Sequence, residues 1–259
     1  LLLKPDGKGK LSKRDGDRLG FPVFPLEWKS PETGEISRGY REDGYFPEAF
    51  VNLLALLGWN PGTEQELFTI DELINLFDLN RVIKSGARFN PDKAKWFNQQ
   101  YLKQKSNENL ADLYQPILKS RNIDKDDTYV AKICGLIKER ATFVSDFWGL
   151  SSYFFTAPES YDEKTVKKYW KEETPERMKE LSEILRGVTD FTKDNTEHKV
   201  HDWINVNSYG MGQIMNAFRL CVVGVAMGPS MFEIIEIIGK KETLQRIETA
   251  LVKLQFAYK

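Results

Sequence analysis

The spacing of the apolar residues constrains this sequence most, because from Phe46 onwards it follows the period of an α-helix. Apolar residues recur three and four positions apart, an arrangement that gives a helix one buried face. Three of these stripes are Phe50, Leu53, Leu54 and Leu57; Val130, Ile133, Cys134 and Ile137; and Leu244, Ile247, Leu251 and Leu254. With 41% hydrophobic residues in 259, the chain is able to bury a sizeable core. We therefore predict a mainly α-helical globular fold.

Several of the predicted helices carry their own start signals. Thr69 precedes Glu72 by three residues, the spacing of a capping box in which each side chain bonds the other residue's backbone N–H. In Asn90-Pro91 and Thr174-Pro175 a capping side chain precedes a proline, whose missing N–H costs nothing at the first helical position. We predict helices with N-caps at these three positions.

The part of the chain before Phe46 does not follow the helical period. Prolines and aromatic residues interrupt it in 21–28, and Ser30-Pro31-Glu32-Thr33-Gly34 has the composition of a turn. We predict a short irregular or β-hairpin N-terminal segment. Polar interruptions near Lys105 and Pro158 indicate boundaries, so we predict three segments, 1–105, 106–158 and 159–259. Because the chain opens with leucine and no leader pattern, we expect a piece of a longer protein.

Charge and cysteine content limit the possible functions. The 37 Lys and Arg residues against 38 Asp and Glu leave a formal charge of −1, so any RNA-binding surface must be local. No apolar run approaches the roughly twenty residues of a membrane span. Cys134 and Cys221 have no Cys-x-x-Cys neighbour, and His198 and His201 have no third ligand candidate nearby. We expect buried free thiols, no metal site, no membrane contact and a cytoplasmic protein.

The densest cluster of chemically active residues lies in 7–16. Glycines make its backbone pliable, and the cations are Lys8, Lys10, Lys13 and Arg14. Such a loop is able to bind phosphate, with Ser12 donating a hydroxyl hydrogen bond. From composition alone, a solvated basic loop remains the competing interpretation. The Walker A pattern is absent.

Within this loop, Lys10-Leu11-Ser12-Lys13-Arg14 resembles the Lys-Met-Ser-Lys-Ser signature of class I aminoacyl-tRNA synthetases, in the variant usual for glutamyl-tRNA synthetases. Further motifs similar to that family follow in the same order. They are Leu57-Gly58-Trp59-Asn60-Pro61, Lys84-Ser85-Gly86-Ala87-Arg88-Phe89, Lys95-Trp96-Phe97-Asn98, and Gly228-Pro229 with Met231-Phe232-Glu233. The resemblance spans the whole chain.

The resemblance implies an enzyme, a glutamate–tRNA ligase that joins glutamate to ATP as glutamyl-adenylate and passes the acyl group to tRNA(Glu). It implies that Lys10, Ser12 and Lys13 form the catalytic signature loop, with Lys10 and Lys13 on the phosphates of ATP, which the parent enzyme uses with Mg²⁺. The family's nucleotide-binding half would precede Leu1. We therefore expect this chain to reach glutamate and ATP only through that half, to hold no cofactor stably and not to aminoacylate alone. We expect a monomer.

The same resemblance implies the fold and the tRNA contacts. Segment 1–105 would end the catalytic domain and form a helical-bundle stem-contact region, and 106–158 with 159–259 would form a two-part α-helical anticodon-binding module. The implied tRNA-binding residues are Arg140 at the third anticodon base, Arg219 and Met231 near the other two, and Lys95 and Trp96 at the tRNA arm.

Other interpretations stay open at this point. Arg140 and Arg219 fit surface ion pairs equally well, and Met231 is able simply to fill a core. The enzyme is either specific for tRNA(Glu) or of dual specificity, also charging tRNA(Gln). A non-enzymatic helical scaffold is the remaining alternative, and it would bind a protein through the stripe Ile234, Ile235, Ile237 and Ile238.

Overall fold

A computed structural model describes residues 2–255, apart from the side chains of Lys13, Arg14 and Asp17. The chain divides into two compact units. The first unit runs up to Asn122 and includes Val130–Phe147, and the second comprises Ile123–Tyr129 and the chain from Trp148 onwards. These divisions differ from the three segments 1–105, 106–158 and 159–259, which stay a prediction about function.

The first unit contains short strands and a helical core. Strand β1 (Leu2–Leu3) pairs in parallel with β4 (Ala87–Arg88), and β2 (Trp28–Lys29) pairs antiparallel with β3 (Ile36–Ser37). The second pair is the predicted hairpin, with its turn at the predicted Ser-Pro-Glu-Thr-Gly segment. The helices are α1 (Lys13–Leu19), α2 (Pro47–Gly58), α3 (Ile70–Leu76), α4 (Pro91–Gln104), α5 (Asn107–Lys119) and α6 (Asp127–Ile137), the last of which begins in the second unit.

The second unit is helical throughout its described part. Its helices are α7 (Phe147–Phe155), α8 (Glu163–Tyr169), α9 (Thr174–Gly187), α10 (Lys193–Val206), α11 (Met211–Val223), α12 (Met231–Ile238) and α13 (Lys240–Lys253). Helices α9, α11 and α13 pack against one another. The stripe predicted in α13 is buried at Leu244, Ile247 and Leu254. Met178 of α9 and Phe218 of α11 are at 0% exposure. The predicted mainly α-helical fold is confirmed.

The predicted helix starts are confirmed at two positions and wrong by one residue at the third. Thr69 and Glu72 form the capping box of α3, and the side chain of Asn90 accepts from two backbone N–H groups at the start of α4. Thr174 is instead the first residue inside α9. Its hydroxyl oxygen accepts from the N–H of Lys171 at 2.8 Å, so the turn before the helix uses the group that would have capped it.

Candidate nucleic-acid interface

The predicted signature loop folds back on strand β1. Gly7 and Gly9 take φ values of +77° and +82° in the turn before it, a backbone region that favours glycine. The N–H of Leu11 then donates to the carbonyl of Leu2 at 2.8 Å. The loop is therefore held by the backbone, and the side chain of Lys10 is left exposed.

Ser12 has a structural role at the end of this loop. It is the N-cap of α1, and its hydroxyl donates to Oδ2 of Asp15 at 2.6 Å. Lys4 approaches the other carboxylate oxygen at 3.2 Å. Hydrogen bonds from Ser12, aided by Lys4, lower the pKa of Asp15 to about 2. The spacing of Ser12 and Asp15 is a capping-box signature that the sequence displays.

Lys13 is the first residue of α1. Its side chain, on which its predicted phosphate contact depends, lies outside the described part of the chain.

Lys95 and Trp96 lie on the outer part of α4. Lys95 is exposed and Trp96 is half-buried. The ammonium group of Lys93 sits 3.9 Å from the centre of the Trp96 ring and 2.6 Å from the carboxylate of Glu66. The indole is thus held by a cation–π contact, beside a lysine that is open to solvent.

Arg140 ends the 3₁₀ turn Lys138–Arg140 that follows α6. Its side chain is exposed, and no ion pair engages it within residues 2–255, so the ion-pair interpretation finds no support. The backbone around it is fixed, because Ala141 is fully buried and the amide of Asn98 donates to the carbonyl of Thr142 at 2.7 Å. The exposed guanidinium of Arg140 is therefore carried by a well-fixed backbone.

Arg219 lies on α11 and is half-buried. Its Nη2 donates to the carbonyl oxygen of Pro229 at 2.7 Å. Its Nη1 passes so close to Gly228 that a Cβ there would lie 2.9 Å from it. The guanidinium is thus fixed on the backbone of the loop 224–230, which leads into α12.

Met231 and two of the four isoleucines of the predicted stripe are buried in the second unit. Met231, the first residue of α12, is 2% exposed, which favours the core-filling interpretation of its side chain. Ile234 and Ile235 are fully buried, since α12 packs against α10 and α13. The stripe predicted for a protein-binding scaffold is therefore largely covered, and that expectation is wrong for these two residues.

In the part of the chain that the structure describes, no three His, Cys, Asp or Glu residues are grouped as metal ligands. Nδ1 of His198 lies 3.1 Å from the carboxylate of Asp202. Cys134 and Cys221 are buried free thiols, as predicted. Among the described helices none is long and apolar enough to cross a membrane.

The sequence predicted no role for Tyr153 or Arg246, and it pointed to Gly228 only as part of a family motif. A Cβ on Gly228 would lie 2.9 Å from Nη1 of Arg219 and 3.2 Å from the hydroxyl oxygen of Tyr153. The buried Arg246 binds the ends of two neighbouring helices. The only signal in the sequence is a charged residue between Leu244 and Ile247, within an apolar stripe.

Two family profiles match the chain. The anticodon binding domain matches residues 109–251, which contain Arg140 and Arg219. The catalytic domain of class I tRNA synthetases (E and Q) matches residues 30–96.

Similar proteins cover nearly all of the chain. The glutamate–tRNA ligases of Phocaeicola vulgatus and Flavobacterium psychrophilum are 56% and 57% identical to it over 98% of its length. A crystal structure of a glutamate tRNA ligase from Elizabethkingia meningosepticum, in complex with its amino acid, superposes with a TM-score of 0.94 at 49% identity over 98% of this chain. In each case the chain spans 50% of the relative's length. The chain therefore belongs to the family of the anticodon binding domain, and it is homologous to about half the length of glutamate–tRNA ligases.

Proposed function

We propose that this chain binds tRNA(Glu) and reads its anticodon, as part of an enzyme that attaches glutamate to that tRNA with ATP. The observation that carries the proposal is Arg140, an exposed arginine that forms no ion pair with any described residue. It lies on a fixed backbone within the stretch that matches the anticodon binding domain. Sequence-specific recognition of RNA mostly targets unstacked loop bases through hydrogen bonds to their edges. A guanidinium is suited to this, since it donates several hydrogen bonds in fixed directions.

Arg140 is assigned to the third anticodon base, where its N–H groups would donate to N3 and O2 of cytosine. The tRNA for glutamine has guanine at that position, so cytosine against guanine is the difference that Arg140 would read. Arg219 and Met231 are assigned to the other two bases. The guanidinium of Arg219 is fixed on the loop 224–230, and Met231 supports that loop from the core. Phosphate contacts supply most of the affinity, and base contacts supply the choice of tRNA.

Lys95 and Trp96 are assigned to the tRNA arm. Lys95 is free to approach a phosphate, and the Trp96 ring offers a flat surface that Lys93 holds in place. We assign segment 1–105 to the signature loop and stem contact, and 106–158 and 159–259 to the two parts of the anticodon module.

In the whole ligase, Lys10 and Lys13 would bind the phosphates of ATP, which is used with Mg²⁺, and Ser12 would fix the loop as the cap of α1. The exposure of Lys10 supports this role, since an ammonium group open to solvent is able to meet a triphosphate. Lysines directed at the shifting phosphate charge stabilise the transition state of adenylate formation. The proposed parent enzyme is a cytoplasmic monomer, and the chain alone does not aminoacylate.

Binding of tRNA(Glu), and of the same tRNA with the third anticodon base changed from C to G, tests the anticodon assignment across a salt series. We expect the unchanged chain to prefer C and Arg140→Gln to lose about 1–3 kcal/mol of that preference. Arg121→Gln is the matched control. Arg121 is also an exposed arginine of the first unit, and its substitution removes the same charge.

Equal weakening by both variants, with the preference for C intact, would limit Arg140 to a general electrostatic contribution. If binding depends on salt but is equally strong for C and G, the chain binds RNA without discriminating between the glutamate and glutamine tRNAs. Salt-insensitive binding, or none, would refute the assignment to tRNA.

A further inference from the structure

We propose that Arg246, Tyr153 and Gly228 position Arg219 and thereby determine how strictly the chain selects its anticodon bases. The inference rests on the proposed function, because it concerns the same surface. Arg246 and Tyr153 are positioning residues, since they act through Arg219.

Arg246 fixes the ends of two helices. It lies on α13 with 3% of its surface exposed, so its charge is buried. Its Nη1 donates to the carbonyl oxygens of Tyr153 at 2.6 Å and Val222 at 3.0 Å, and its Nε donates to Glu242 at 2.7 Å. The two carbonyls belong to the last turns of α7 and α11, where helices leave carbonyl groups without intrahelical partners.

Arg219 and Tyr153 belong to the two helices, α11 and α7, whose last turns Arg246 binds. Val222 lies three residues beyond Arg219 on α11, just before Gly224 begins the loop. The hydroxyl of Tyr153 points to the same place, since a Cβ on Gly228 would lie 3.2 Å from that oxygen and 2.9 Å from Nη1 of Arg219. Gly228 therefore leaves a gap into which the guanidinium and the phenol converge.

This arrangement bears on selectivity more than on affinity. Hydrogen bonds to base edges require donors within a fraction of an ångström of the right place, whereas phosphate contacts tolerate movement. Nη2 of Arg219 donates to the carbonyl oxygen of Pro229, so the direction of the guanidinium depends on the loop 224–230. A residue that moves the guanidinium should change which bases are accepted while general binding of tRNA persists.

Gly228→Ala is the direct test, because its methyl group would displace the guanidinium. Gly239→Ala is the matched control: Gly239 also has a positive φ, but a Cβ there meets nothing within 4 Å. The full chain is titrated with tRNA(Glu) and with tRNAs changed at the first or second anticodon base. We expect Gly228→Ala to reduce the preference for the natural base by about fivefold or more, the lower range of a well-placed base contact. Gly239→Ala should leave the preference unchanged.

Tyr153→Phe and Arg246→Lys extend the test without adding bulk. Tyr153→Phe removes the hydroxyl beside Arg219 and keeps the carbonyl that Arg246 binds. Arg246→Lys keeps the buried charge but loses the fork that reaches two carbonyls and Glu242 together. We expect both variants to reduce the preference for the natural base. Their affinity for a tRNA(Glu) changed at both of these bases should differ from that of the unchanged chain by less than about twofold, because phosphate contacts supply that binding.

The outcomes separate the two proposals. If the unchanged chain binds all these tRNAs equally, the anticodon assignment fails and the positioning role fails with it. If the unchanged chain is selective, and Gly228→Ala and Tyr153→Phe are as selective as Gly239→Ala, only the positioning role is overturned. Should Arg246→Lys fail to fold, the other two variants decide.

Discussion

Replacing Asn98 by alanine should destabilise the first unit, because one buried side chain joins two separate parts of it. Asn98 is fully buried on α4. Its Oδ1 accepts from the N–H of Phe46 at 2.8 Å, and its Nδ2 donates to the carbonyl of Thr142 at 2.7 Å. The first contact fixes the start of α2, and the second fixes the backbone two residues after Arg140.

The size of the effect follows from these contacts. Each of the two hydrogen bonds contributes about 1 kcal/mol, and leaving the buried N–H of Phe46 without an acceptor costs about 1–3 kcal/mol. We expect Asn98→Ala to lower the free energy of unfolding of the first unit by about 3 kcal/mol, which is roughly a hundredfold in the equilibrium constant. Lys95→Ala, an exposed position on the same helix, should change it by less than about 0.5 kcal/mol.

Urea unfolding measures the total loss, and amide hydrogen exchange locates it. The two units need not unfold together, so exchange in peptides that contain Phe46 and Thr142 is compared with exchange in the second unit. Faster exchange should be confined to the first unit. A decrease in the free energy of unfolding below about 1 kcal/mol, with unchanged hydrogen exchange at Phe46, would refute this reasoning. It would mean that the N–H of Phe46 finds another acceptor, such as water, when Asn98 is removed.

Two further predictions concern titration and thiol reactivity. The folded pKa of Asp15, about 2, lies below its usual value of 3.8. The stability that the Asp15 carboxylate contributes is therefore complete above about pH 4 and is lost as the pH falls through 2. Carboxyl ¹³C NMR should show a titration midpoint of about 2 for Asp15, and Ser12→Ala should raise this midpoint. Burial raises the pKa of the Cys134 thiol to about 12 and also raises the pKa of the Cys221 thiol. Neither thiol should therefore react with a disulfide reagent at mildly alkaline pH until the chain is unfolded, and rapid reaction of the folded chain would contradict their burial.

Local patterns predicted the helices because the forces behind them are local. The apolar period predicted the buried face of α13, and the capping signals of Thr69 and Asn90 act within one turn. Thr174 failed as an N-cap since its hydroxyl bonds to the turn before α9, a competing contact that the dipeptide Thr-Pro does not reveal.

The candidate site was predictable only in part. Position along the sequence pointed to Arg140, and its exposed side chain agrees with a binding role that stays a prediction. The same reasoning assigned Met231 to a base although its side chain is in the core, and it gave Ser12 a phosphate contact although its hydroxyl donates to Asp15. A sequence motif identifies a residue, but it does not show which groups that residue contacts in the folded chain.

The sequence by itself determined the helical class, the hairpin before Phe46 and the family. Periodicity, turn composition and the order of motifs depend only on the order of residues along the chain. Only the tertiary structure decided which polar atoms meet. Arg246 reaches a carbonyl 93 residues away in sequence, and Asn98 reaches an amide 52 residues away. Such contacts depend on how helices are placed in space, and helical periodicity specifies which face is buried without specifying what lies against it.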